Sequence, residues 1–124
     1  MAHILFIEDE PALQKTLGEF LRAEGHEVAS ALDGIQGLAL ARRDHPDLIL
    51  LDLILPRMPG MEVFRELSSD PELAAIPVIV LTNVESSEAV VEAVELGAKA
   101  YLIKTNYSLD EVLAKVNAVL GQPQ

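Results

Sequence analysis

Four short stretches of this chain are almost wholly apolar: Ile4-Leu5-Phe6-Ile7, Leu48 to Leu51, Val78 to Leu81 and Ala100 to Ile103. A strand with one face in water alternates apolar and polar residues, and these runs do not. Bounded by turn residues, they predict strands buried on both faces, as in a parallel sheet. His26 to Ser30 is a weaker, more polar run and predicts an edge strand.

Helical spacing fills the gaps. Pro11 opens one helix, with Leu13, Leu17, Phe20 and Leu21 along one face and Gly25 at the exit. Asp33 can cap a second, carrying Ile35, Leu38 and Ala39, which His45-Pro46 ends. A short third runs from Met61 to Leu67. A fourth carries Ala89, Val90, Ala93 and Val94, with Glu85 and Glu88 near its positive end and Gly97 after it. The last begins with a capping box, Ser108 with Glu111, and continues through Leu109, Val112, Leu113, Val116 and Leu120. The order is strand then helix, five times. Short crossovers require parallel strands, right-handed connections and helices on both faces. The expectation is one doubly wound α/β domain over residues 1–121, a polar tail at 122–124, and no output domain in this chain.

Half of the 124 residues are apolar, enough for a core. The formal net charge of −11 disfavours nucleic acid and anionic lipid as partners of this domain. With no cysteine, disulfides and thiolate metal sites are excluded, consistent with a cytoplasmic protein. Met1-Ala2-His3 carries no basic segment before its apolar run, so no signal peptide is expected. No run approaches the roughly 20 apolar residues of a membrane helix.

The polar residues at the strand ends carry the chemistry. Glu8 and Asp9 follow the first run, Asp52 the third strand's, Thr82 the fourth's and Lys104 the fifth's. In an open parallel sheet the carboxyl ends of the strands form the ligand-binding edge. Asp52 interrupts an apolar octet, Leu48 to Leu55, where an unpaired carboxylate costs several kcal/mol to bury. Three converging carboxylates repel one another. A divalent cation relieves this, and all-oxygen ligands suit Mg²⁺. Given a phosphoryl donor, Asp52 can attack phosphorus to form an aspartyl phosphate, with the cation, Lys104 and Thr82 on the phosphoryl oxygens.

Together with Leu55-Pro56-x-Met58-x-Gly60 and Tyr101-x-x-Lys104, these residues make the chain resemble the receiver domains of two-component response regulators. The resemblance spans nearly the whole length. It implies the CheY-like, flavodoxin-like fold with strand order 2-1-3-4-5. It implies Asp52 as phosphoacceptor, Mg²⁺ held by Asp9 directly, by Glu8 mainly through water, by Asp52 and by the Ile54 backbone carbonyl, and Lys104 on the phosphoryl group. Thr82 and Tyr101 would form the switch. A histidine kinase or histidine phosphotransfer protein would be the donor. The face of helix 4, strand 5 and helix 5 would meet a downstream protein target or a second copy in a homodimer. The chain would phosphorylate and dephosphorylate itself and would not be a turnover enzyme.

Departures from the family pattern are Thr105 where proline usually follows the lysine, Pro59 for an acidic residue, Leu55 for methionine and Asn83 for a smaller residue. The first leaves the Lys104-Thr105 bond open between cis and trans. Ile54 and Val84, the positions flanking the acceptor, cannot orient water, which predicts slow self-dephosphorylation. His3, His26 and His45 share no metal-ligand spacing and are expected at the surface, as is the ladder Glu85, Glu88, Glu92 and Glu95. The alternative is a degenerate receiver acting only as an interaction or dimerisation module. A flavodoxin would need a hydroxyl- and glycine-rich loop where Glu8-Asp9-Glu10 stands. A haloacid-dehalogenase phosphatase would need aspartate in place of Ile54.

Overall fold

In the computed structural model, which describes residues 2–121, the apolar runs become four strands and the polar run a fifth. The strands are β1 (His3–Ile7), β2 (Glu27–Ala31), β3 (Leu48–Leu51), β4 (Val78–Thr82) and β5 (Ala100–Ile103). The helices are α1 (Pro11–Ala23), α2 (Gly34–Asp44), α3 (Gly60–Ser69), α4 (Ser87–Glu95) and α5 (Leu109–Leu120). All strand pairs are parallel, in the order β2-β1-β3-β4-β5. This is the expected doubly wound sheet. The tail Gln122 to Gln124 lies outside the described residues.

The two-residue period of a strand sorts its side chains between two cores. Leu5, Ile7, Ile49, Leu51, Val78 and Val80 join Leu38 of α2, Phe64 of α3 and Ala93 of α4 on one side. Ile4, Phe6, Leu48, Leu50, Ile79 and Leu81 join Leu17 of α1 and Val116 of α5 on the other. The central strands are therefore buried on both faces, and their ends are held rigidly.

The helix ends follow the sequence signals. Pro11 is the first residue of α1. Asp33 accepts the Gln36 N–H at 2.7 Å. Ser108 and Glu111 close the capping box. His45 ends α2 in the left-handed region, φ 45°. Ser86, which the sequence reading passed over, caps α4 by accepting from Ala89 N.

Several expectations are corrected. β2 runs one residue later than predicted, because Ala31 pairs with Ile7 while the His26 N–H bonds Leu21 O at the end of α1. α3 begins at Gly60 and reaches Ser69, longer than read. His26 is not at the surface. It is 5 % exposed, with its Nε2 3.1 Å from Asn117 Oδ1 of α5. In the expected acidic ladder, Glu92 is partly buried and pairs with Arg65 of α3. There is no cis peptide bond among the described residues, so Lys104-Thr105 is trans, in a 3-10 turn over Lys104–Asn106.

The loop from β3 to α3 is tight. Met58 N bonds Pro56 O at 2.8 Å, closing a three-residue turn with Arg57 at its centre at φ 71°. An L-residue there costs about 1–2 kcal/mol, and glycine avoids this while losing part of the gain to unfolded-state entropy. Arg57→Gly should therefore raise the unfolding free energy by about 0.5–1 kcal/mol in urea titrations. A loss of stability would show that the Arg57 side chain matters more than its backbone.

Candidate functional site

Each apolar strand delivers a polar residue just as its ladder ends. The Glu8 N–H still bonds Ala31 O at 2.9 Å, and the Asp52 N–H bonds Ile7 O at 3.1 Å. Both residues are fixed by the sheet, and both are buried, Glu8 at 1 % and Asp52 at 4 % exposure. Asp9, one residue on, is exposed. Carboxylate oxygens of Glu8, Asp9 and Asp52 lie within 4.8 Å of one another. They open into a pocket of about 460 Å³ lined also by Glu10, Pro11, Ile54, Asn83 and Lys104.

Lys104 is the counter-charge. Its Nζ hydrogen-bonds Asp52 Oδ2 at 2.8 Å. It also stands 2.7 Å from Glu8 Oε1, so one ammonium is shared between two buried carboxylates. The other oxygens are used: Glu8 Oε2 accepts from Glu10 N at 3.1 Å, and Asp52 Oδ1 from Ile54 N at 3.2 Å. Burial alone would lower the Lys104 pKa, but the bonds to Asp52 and Glu8 outweigh it and hold the ammonium above its ordinary value. Burial pushes the Glu8 carboxyl up, Lys104 partly offsets this, and the Asp52 charge adds to it.

These observations test whether a hard cation fits. The donor set is all oxygen, and one ammonium faces three carboxylates. Such a cluster matches Mg²⁺ chemistry.

Not every expected residue lines the pocket. Glu8, Asp9, Asp52, Ile54 and Lys104 do; Thr82 and Tyr101 do not. Thr82 is fully buried, and its Oγ1 accepts from Val84 N at 3.4 Å. Tyr101 donates its hydroxyl to Val84 O at 2.7 Å, and burial, with the nearby Asp52 charge, raises its phenol pKa. Both side chains thus hold residue 84. Val84 itself packs against the first core, while Asn83 lines the pocket beside Ile54.

Two residues near the site were missed in the sequence. Gly60 cannot be replaced: a Cβ there would overlap the Asp52 carbonyl oxygen and Leu53 Cα, and its N–H bonds Leu53 O at 3.0 Å. It was read only as part of a motif. Gln14 was not singled out, yet it occupies the buried stripe Gln14, Leu17, Gly18, Leu21 of α1. A polar residue at core spacing was the available signal.

A family model described as the response regulator receiver domain matches residues 4–117. The chain belongs to the response-regulator receiver family. As a receiver it has full-length and partial relatives. It is 38 % identical to Protein PilH of Pseudomonas aeruginosa over 123 residues, covering 98 % of this chain and 99 % of PilH. It is 40 % identical over 120 residues to the DNA-binding dual master transcriptional regulator RpaA of Synechocystis, covering 97 % of this chain but only 49 % of RpaA. The receiver thus spans about half the length of that relative. Among solved structures, the Mn²⁺-bound form of response regulator Rcp1 superposes with a TM-score of 0.85 at 30 % identity, covering 100 % of this chain and 98 % of that one. Receivers are signalling modules of two-component systems that bind Mg²⁺ at an acidic pocket and meet histidine kinases and downstream targets. No helix of the described residues is long and apolar enough to cross a membrane.

The raised Glu8 pKa has a consequence for the metal-free protein. The folded state holds a Glu8 proton to higher pH than the unfolded state does, so stability falls as pH rises from the ordinary carboxylate range toward neutrality. Glu8→Gln removes this slope. In urea titrations with a chelator, the variant should gain on the parent as pH rises; parallel pH profiles would mean that Glu8 is not strained by burial.

Proposed function

We propose that this receiver accepts a phosphoryl group on Asp52. The observation that carries the reading is the convergence of Glu8, Asp9 and Asp52 with Lys104 bonded to the Asp52 carboxylate. Asp52 Oδ attacks phosphorus, forming a P–O bond as the P–N bond of a phosphohistidine on a kinase or phosphotransfer protein breaks and the imidazole nitrogen departs. Asp9, Asp52, Glu8 and the Ile54 backbone carbonyl would hold Mg²⁺, which would supply positive charge to the phosphoryl oxygens. The Mn²⁺-bound relative supports a divalent site. Lys104, already at the carboxylate, passes to a phosphoryl oxygen as charge builds there.

Thr82 and Tyr101 form the switch. The Thr82 hydroxyl turns from Val84 N toward the phosphate, and Tyr101, on Val84 O, follows the moving loop. The face of α4, β5 and α5 then changes for a downstream protein or a second copy. The domain is residues 1–121, working in the cytoplasm. Intact mass after treatment with acetyl phosphate and Mg²⁺ should show one added phosphate in the parent and none in Asp52→Asn. No addition to the parent would favour a receiver used purely as an interaction module.

The phosphate is also long-lived. Ile54, 65 % exposed at the pocket, offers no side-chain group to orient water. The phosphoprotein should persist for minutes or longer, and Ile54→Asn should shorten its half-life by about tenfold, a loss of about 1.4 kcal/mol of barrier. Decay within seconds in the parent would show that Asn83 or bulk water suffices.

A further inference from the structure

Gln14 is 7 % exposed and takes no part in the chemistry proposed above. Its side-chain amide reaches from α1 to the top of the sheet. Nε2 lies 2.9 Å from Phe6 O, 3.0 Å from Glu8 O and 3.1 Å from Ala31 O, so its two N–H groups are shared among three carbonyls. All three partners are carbonyls, so the nitrogen end must face them. Its Oε1 is buried without a partner. These carbonyls belong to the penultimate residue of β1, to the acidic loop itself and to the last residue of β2. The Glu8 side chain in turn accepts from Glu10 N, so the loop's main chain and its carboxylate share one brace.

We infer that Gln14 is a positioning residue that holds the Glu8-Asp9 loop in the conformation needed to bind a divalent cation. The reasoning is geometric. β1 ends at Ile7, beyond which the ladder no longer fixes the chain apart from Glu8 N on Ala31 O. Asp9 is exposed and has no hydrogen bond of its own among the described residues, so its place depends on its neighbours' main chain. Groups that hold a ligand-bearing loop in place set how well its carboxylates converge on a cation. The orphaned Oε1 shows that the site calls on the donor half of the amide alone.

The inference rests on the reading of Glu8 and Asp9 as cation ligands. The test titrates Mg²⁺ alone into this chain by calorimetry, below any unfolding, for the parent and three Gln14 variants. Gln14→Met keeps the length and removes the donors. Gln14→Glu keeps the shape and sets oxygen against three carbonyls. Gln14→Lys offers three N–H donors to three acceptors. The Mg²⁺ dissociation constant should rise about tenfold or more in the Met and Glu variants and stay within about threefold of the parent in the Lys variant. In the metal-free protein, amide hydrogen exchange at Glu8 and Glu10 should quicken in the Met and Glu variants and not in the Lys variant. Leu67→Ala, in the opposite core, should lower stability and leave Mg²⁺ affinity and both amides unchanged. If Met does not fold, the contrast between Glu and Lys decides. Equal Mg²⁺ affinity in all variants, with the parent binding, overturns the role of Gln14 alone. A parent that binds no Mg²⁺ overturns the cation reading and this inference with it.

Discussion

The ammonium of Lys104, wedged between two buried carboxylates, is the constraint around which the rest of the molecule is arranged. A lysine with so little water around it is tolerated because Asp52 and Glu8 meet it at 2.8 and 2.7 Å. The two acids are tolerated in turn because the lysine is there. With Asp9, three carboxylates share the site with a single ammonium. The cluster is therefore complete as packing and incomplete as electrostatics, an imbalance that a hard cation would relieve.

The fold was legible because strands of a doubly covered sheet must be apolar throughout, and these are. The site was legible for the same reason: a charged residue directly after such a strand stands out, as Asp52 does within its octet. Side chains that act across elements were not legible. Gln14 looks like one more polar residue of a surface helix until α1 is rolled so that Leu17 and Leu21 face the sheet. His26 looks solvent-exposed until α5, ninety-one residues away in sequence, supplies Asn117. Nor does a one-dimensional pattern tell whether Asn83 or Val84 turns to the pocket, since that depends on how the chain leaves β4.

The loop after Asp52 shows how closely the main chain is drawn in at this edge. Gly60 starts α3 against the Asp52 carbonyl, and Arg57 accepts an unfavourable φ so that the chain can return in time. By contrast, the missing proline after Lys104 proves immaterial to the ion pair. A trans bond and one 3-10 turn carry the chain into the Ser108 cap with the ammonium already in place.

Thr82 and Tyr101 never touch in the hydrogen-bond network, yet they grip opposite ends of one residue: the hydroxyl of Thr82 takes the amide hydrogen of Val84, and the phenol of Tyr101 gives its own to the carbonyl. The tether is thus made of main-chain atoms. Any residue except proline supplies both handles, so a change of side chain at 84 would by itself leave intact the hydrogen-bonded link between the strand-four hydroxyl and the strand-five ring.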